Sequence, residues 1–232
     1  MPDQIVVEFE ELTGLKIEQV INGEERSPSL QALTDQFLAF FPEQPHVVGE
    51  LESTWHESWP DDQVIVHAWL LRVGGKPAGL TVFHTNLRRQ VITQHYLGLE
   101  PEAGKLLPLR WVLHLVNAIR DVGARDCEAA GTILLGQIGE NQVAHARAWE
   151  RFGYLTLDVD YLEPDHGRSW PENGGPNYHP MTLQLRLTDA GRDLPLGEVV
   201  QRGLRAYLLD HYCVPENEPT VQNSLNKAAA LS

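Results

Sequence analysis

Cysteine is scarce in this chain: Cys127 and Cys213 are the only two in 232 residues, and neither stands in a CxxC or Cys/His zinc spacing. A disulfide framework and a structural zinc are therefore not expected, and a reducing cytoplasm fits best. Basic residues are also few, 18 against 32 acidic, for a formal net charge of −14. Nucleic acid and anionic membranes would repel such a surface, so neither is an expected partner. No run of about 18 consecutive apolar residues occurs, and Met1-Pro2-Asp3-Gln4 begins neither a basic segment nor an apolar one. Neither a membrane span nor an export signal is expected. What is present, 42% hydrophobic and 22% charged residues, is the composition of a globular chain with a core.

Gln4 to Glu10 and Leu15 to Ile21 read as short strands, and Ser29 to Phe41, with Leu30, Leu33, Phe37, Leu38 and Phe41 at helical spacing, as a helix stopped by Pro42. Val64 to Val73 and Ala78 to His84 flank the turn Gly74-Gly75-Lys76-Pro77, a predicted hairpin. Gln90 to Leu99 adds a third strand. Leu106 to Val122 is a predicted helix with the stripe Leu109, Val112, Leu113, Val116 and Ile119, and Gly123 is its expected stop. Asp126 to Ala130 is a candidate short strand.

Glu140 to Phe152 reads as a second helix closed by Gly153. Strands follow at Tyr154 to Leu162 and Met181 to Leu187, separated by a Pro/Gly-rich loop from Glu163 to Pro180, an excursion of the kind that carries function. Leu196 to His211 is a terminal amphipathic helix with Val199, Val200, Leu204, Tyr207 and Leu208 on one side. That stripe must be covered, either by the chain's own sheet edge or by a second copy, so a homodimer is one expectation. The polar tail from Pro215 is expected to be mobile. This order is α+β, with one mixed sheet covered by helices over 1–190, a helix in 191–214 and a flexible tail at 215–232.

The densest information lies between Gln90 and Gly123. An apolar strand, Val91-Ile92-Thr93-Gln94-His95-Tyr96-Leu97-Gly98-Leu99, feeds the turn Glu100-Pro101-Glu102-Ala103-Gly104-Lys105 and then a periodic helix. A tight loop whose N–H groups converge with a helix N-terminus is a physical anion site, suited to a phosphorylated cofactor.

Two segments carry a resemblance to a known group. Tyr96-Leu97-Gly98-Leu99-Glu100-Pro101, continuing through Ala103-Gly104-Lys105-Leu106-Leu107-Pro108 to Ile119-Arg120-Asp121-Val122-Gly123, resembles the strand, pyrophosphate loop and helix of the GNAT superfamily of acyl-CoA N-acyltransferases. Ala148-Trp149-Glu150-Arg151-Phe152-Gly153-Tyr154 is similar to that family's late helix and Gly-aromatic pair, and Asp158-Val159-Asp160-Tyr161-Leu162-Glu163-Pro164 resembles a bacterial branch with a Tyr-x-x-Pro stretch. Together they cover roughly Leu15 to Leu187 and make the chain resemble a divergent bacterial member. The resemblance implies a mixed, mostly antiparallel sheet flanked by helices, with the C-terminal helix extra to it. It also implies acetyl-CoA or another acyl-CoA as co-substrate, and transfer to a primary amine on a small molecule or peptide. The implied cofactor contacts are Leu97, Leu99, Ala103, Gly104, Lys105, Leu106, Leu107, Pro108 and Asn141.

The departures from the family pattern are physical ones. Only Gly104 and Lys105 match common loop variants; Leu106 places a side chain where backbone would approach phosphate, and Pro108 removes an N–H donor. Lys105 and Arg110 offset part of that loss as charged contacts. Ala103, Leu106, Pro108 and Trp149 together leave a second reading open, a non-catalytic module that keeps the fold and binds a ligand or partner. A hydrolase is third, since no Gly-x-Ser-x-Gly elbow occurs.

Thioester aminolysis needs a base for the amine and an acid for the thiolate. By the resemblance the base position falls on His95, whose side chain titrates near neutrality; the bland alternative is a half-buried strand histidine. The family's acid tyrosine falls on Trp149, which is no acid, leaving Tyr154, Tyr161 or water. Asn141 and Gln142 either approach the cofactor or cap the predicted helix. Among the rest, His166 with Asp165 and His179 read as solvated loop residues rather than metal ligands, so no metal is expected. Cys127 reads as a buried apolar residue rather than a nucleophile, and Trp55, His56, Trp59 and Trp170 as anchors or cleft walls.

Overall fold

A computed structural model describes residues 4–20, 28–56, 62–164 and 177–231. They fall into two compact units, Met1–Thr85 with His95–Val122, and Asn86–Gln94 with Gly123–Ser232.

The first unit begins with a correction. Gln4–Thr13 is a helix, α1, not a strand, because Phe9 and Thr13 are its buried positions one turn apart. The Thr13 hydroxyl donates back to the Phe9 carbonyl at 2.8 Å, and Gly14, at φ +71°, ends the helix. The β-branched Val6 and Val7 had suggested a strand; burial of one helical face overrode that preference. Strand β1 (Leu15–Gln19) follows, then α2 (Pro28–Phe40), α3 (His46–His56), β2 (Val64–Val73) and β3 (Lys76–Asn86). Leu30, Leu33 and Phe37 of α2, Val47 and Leu51 of α3, Ala68 and Leu70 of β2, and Leu80 and Val82 of β3 form one apolar core. Next come β4 (Val91–Leu99), α4 (Pro101–Gly104) and α5 (Trp111–Ala129). The strand neighbours run β1-β2-β3-β4.

Helix α5 differs from expectation at both ends. It starts at Trp111 rather than Leu106, because Pro108 disfavours helical backbone at the residue before it. It then runs through Gly123 and into the segment expected as a strand at Asp126 to Ala130, ending at Ala129 ahead of Gly131, which takes φ +71°. Leu109, expected in the apolar stripe, is 100% exposed, whereas Leu115, Val116, Ala118, Ile119, Val122 and Cys127 are buried.

In the second unit the helix expected from Glu140 is corrected. Gly136–Asn141 is a strand, β5, and only a 3₁₀ turn at Val143–His145 and the short α6 (Ala146–Glu150) follow it. Two glycines and two amides hide this strand from propensity, yet it pairs in parallel with β4, from Val91↔Gly136 to Gln94↔Gly139, and antiparallel with β8 (Tyr178–Leu187). Strands β6 (Leu155–Thr156) and β7 (Tyr161–Pro164) also pair antiparallel with β8. Helices α7 (Asp189–Arg192) and α8 (Leu196–Arg205), a π-helical turn (Ala206–His211) and α9 (Pro219–Ala229) complete the unit.

The stripe of α8 is covered within the chain: Val199, Val200 and Leu204, with Tyr207 and Leu208, pack with Leu135, Ile138, Leu183 and Leu185. The tail expected to be mobile contains α9, whose Val221, Leu225 and Ala228 belong to the same core. Arg89 grips Asp210 with two bonds, Nε to Oδ2 at 2.8 Å and Nη2 to Oδ1 at 3.0 Å, and Asn86 donates to Oδ2 at 2.8 Å, which anchors the π turn. The chain is α+β with a mixed, mostly antiparallel sheet flanked by helices, as the resemblance implied. Among the described residues no helix is long and apolar enough to cross a membrane.

Candidate active site

On β4, His95 is half-buried. Its ring lies 4.3 Å, centroid to centroid, from that of His84 on β3, which is 4% exposed. Each neutral imidazole carries one N–H donor and one lone pair that accepts a proton. The neighbouring side chain, Tyr96, lies edge-on to Phe37 at 4.9 Å and tilted against Phe41 at 5.2 Å. Gly98 is buried, and a Cβ there would sit 2.6 Å from the Phe40 ring. Leu97 and Leu99, both half-buried, lie on the stretch of β4 beyond Gln94, where its parallel register with β5 ends.

The loop after β4 is more closed than its sequence implied. Glu100 and Pro101 start the single turn α4, in which the N–H groups of Gly104, Lys105, Leu106 and Leu107 donate to the carbonyls of Glu100, Pro101, Ala103 and Gly104. Those donors are spoken for, and Pro108 has none. Ala103 is 8% exposed and Leu106 75%. Lys105 Nζ meets Glu102 Oε1 at 2.5 Å on the surface, so its charge is shared with a carboxylate. In the first turn of α5 the N–H of Trp111 donates to the Pro108 carbonyl at 3.0 Å and that of His114 to the Arg110 carbonyl at 3.1 Å, and the exposed Arg110 side chain stands beside this turn.

In the second unit Gln94 is the last residue of the parallel pair and is held from two directions. Tyr154, 3% exposed, donates its hydroxyl to Gln94 Oε1 at 2.7 Å, and the Tyr207 hydroxyl donates to the Gln94 carbonyl at 2.6 Å. Burial pushes the Tyr154 phenol well above its ordinary range, against smaller opposing effects of Arg186 and Gln94. Tyr161 donates to Glu140 Oε2 at 2.6 Å, and burial followed by the Glu140 charge raises it strongly as well. Both phenols named as possible acids thus hold their protons firmly. Trp149 packs edge-on against Tyr154 at 5.4 Å.

Asn141 is not a helix cap: it ends β5 opposite Thr182 and donates through Nδ2 to Gln184 Oε1 at 3.0 Å. The Cys127 thiol, with no exposed surface, is pushed up to about 11 by burial and then by Asp126, which removes it as a nucleophile. His179 stands opposite Glu163 in the β7–β8 register. Trp59, Asp165, His166 and Trp170 lie outside the described residues, as do the side chains of Trp55 and His56. Sequence reasoning missed His84, Gln94, Glu140, Tyr207 and Tyr212. Reading β5 as a helix concealed Glu140, and the C-terminal tyrosines carried no signal beyond an amphipathic stripe.

No family model and no curated protein matches the chain. Solved structures do resemble it. Gcn5 of Tetrahymena is 11% identical, over 75% of this chain and 97% of that one, with a TM-score of 0.46. A chimera of the Vibrio cholerae spermidine N-acetyltransferase SpeG with hSSAT is 16% identical over 75% and 95%, at 0.47. A Bacillus subtilis acetyltransferase in complex with CoA is 17% identical over 75% and 99%, at 0.44. The chain is similar in fold to these acetyltransferases.

Proposed function

We propose that the chain transfers an acyl group from an acyl-CoA, acetyl-CoA in the simplest case, to a primary amine by direct attack. The observation that carries this reading is the course of β4: its parallel register ends at Gln94, yet the strand continues through His95, Leu97 and Leu99 and leads directly to α4 and α5. An extended backbone edge is suited to pairing with the amides of a pantetheine arm, in the manner of an added strand. The residues that would hold the co-substrate are Leu97 and Leu99 along that edge and Arg110 with the first turn of α5 at the phosphates. Ala103, Gly104, Lys105, Leu106, Leu107 and Pro108 shape the loop rather than supply N–H donors, and Asn141 keeps the polar end of β5 in place.

His95 in its neutral form accepts the proton that the attacking amine loses and releases it to solvent. As the amine nitrogen bonds to the acyl carbon, the C–S bond breaks and the thiolate leaves as coenzyme A. With Tyr154 and Tyr161 holding their protons, water is the source that protonates that thiolate.

Titration calorimetry with acetyl-CoA and coenzyme A, on the wild type and Leu106→Glu, tests the binding half. Binding that weakens in the variant supports the reading, and absence of binding at millimolar ligand overturns it. Acetylation of a panel of primary amines, with His95→Ala as control, tests the chemistry.

A further inference from the structure

Three O···O contacts in the second unit, two of them short, join Tyr161, Tyr212, Glu140 and Glu163. Tyr161 Oη donates to Glu140 Oε2 at 2.6 Å, while Tyr212 Oη lies 2.7 Å from Glu140 Oε1 and 3.1 Å from Glu163 Oε1. The phenols bring one proton each, and ionised carboxylates bring none. If both glutamates were charged, two anionic oxygens would face the oxygen of the buried Tyr212 phenol with a single proton among them. A carboxyl proton resolves this: one glutamate donates to Tyr212 and Tyr212 donates to the other.

We propose that Glu140 and Glu163 share one proton in the native protein, and that this proton fastens the C-terminal segment, through Tyr212, onto β5 and β7. The fastening is mechanical as well as electrostatic. The π turn bonds Tyr212 N–H to the Tyr207 carbonyl at 2.9 Å, and Val214 N–H to Leu208 at 2.8 Å. This wider turn places both Tyr207 and Tyr212 inside, at 0% and 5% exposure. Downstream, the Ser224 hydroxyl of α9 donates to the Asp160 carbonyl at 2.5 Å, so release of Tyr212 would free the segment that precedes α9.

The groups facing the pair are Tyr161 from β7, His179 opposite Glu163 on β8, Tyr207 from the π turn, and Tyr212 with the His211 ring 4.5 Å from it. Burial raises Glu140 well above the usual carboxyl range and the Glu163 charge adds to it, against the bonds from Tyr161 and Tyr212. Burial also raises Glu163, against the Tyr212 bond and the His179 charge. The sign follows. A carboxyl raised on folding contributes stability that is fully present below its unfolded value of 4.5 and is lost as pH rises through the folded value. Where the native state holds one extra proton, the unfolding constant rises about tenfold per pH unit.

This inference is independent of the acyltransferase reading, and urea unfolding between about pH 5 and pH 9 tests it. The wild-type unfolding constant should climb with pH more steeply than that of Glu163→Gln or Glu140→Gln, by up to about tenfold per unit. The opening equilibrium across 206–229, read from amide exchange after division by the base-catalysed intrinsic rate, should rise with pH in the wild type and stay flat in Glu163→Gln. Curves that are offset but parallel would show a lost hydrogen bond and no shared proton, which overturns the proposal. If the variants do not fold, carboxyl NMR of wild-type protein labelled at glutamate decides: one protonated glutamate at pH 7 supports the clamp, and all glutamates ionised overturns it.

Discussion

The Tyr207 hydroxyl donates to the Gln94 carbonyl at 2.6 Å and lies 3.2 Å from the Ile138 carbonyl, so a C-terminal side chain closes the point where the β4–β5 parallel register ends. The C-terminal segment lies outside the family resemblance, yet it supplies the group that satisfies this backbone. Removing only the hydroxyl, in Tyr207→Phe, leaves the part-buried Gln94 carbonyl without its short bond. The expected cost is about 1–3 kcal/mol in denaturant unfolding. A change below about 0.5 kcal/mol would show that the contact is replaceable.

His95→Ala should lower acyl transfer roughly 10²- to 10⁴-fold, the usual worth of a positioned base, with the melting temperature little changed because His95 is only half-buried. Steady-state kinetics and a thermal melt on the same preparation separate the two effects. Activity within a few-fold of wild type would move the base elsewhere.

Arg110→Glu should weaken coenzyme A binding by roughly tenfold or more, since it reverses a charge beside the first turn of α5. Lys105→Ala should weaken it less, because Lys105 is already paired with Glu102. Calorimetry ranks them, and the reverse order would place the phosphates on α4 instead.

Gly197→Ala should destabilise by about 1–3 kcal/mol, because a Cβ there would lie 2.4 Å from the Ala228 carbonyl of α9. Gly49→Ala is the control, having nothing within 4 Å inside α3. It should stabilise by about 0.5–1 kcal/mol through helix propensity. Equal effects in chemical unfolding would mean that α8 and α9 do not pack as closely as this.

Thiol labelling of the native protein at about pH 8 should modify Cys213 and spare Cys127, whose thiol is buried and pushed up to about 11. Both should react in denaturant. Rapid labelling of Cys127 in the native state would show that the C-terminal half of α5 opens.

Where hydrophobic period and punctuation agreed, the amino-acid sequence was enough. The β2–β3 hairpin around Gly74-Gly75, helix α2, strand β4 and helix α8 all lie close to where their patterns placed them, because burial of one face demands that spacing. The place of His95 on β4 was legible for the same reason, since a strand is a local signal. Tertiary structure decided the rest. Strand β5 is built from Gly-Gln-Ile-Gly-Glu-Asn, a poor strand by propensity, and exists because β4 and β8 pair with it on either side. Helix α9 looked like a polar tail until Val221, Leu225 and Ala228 found the core. The loop N–H groups, open on paper, are consumed by α4, and the meeting of Glu140, Glu163, Tyr161 and Tyr212 joins residues from three distant stretches of chain. Local pattern reports which face of a segment will be buried; which partner buries it, and which polar groups are enclosed along with it, is set only by long-range packing.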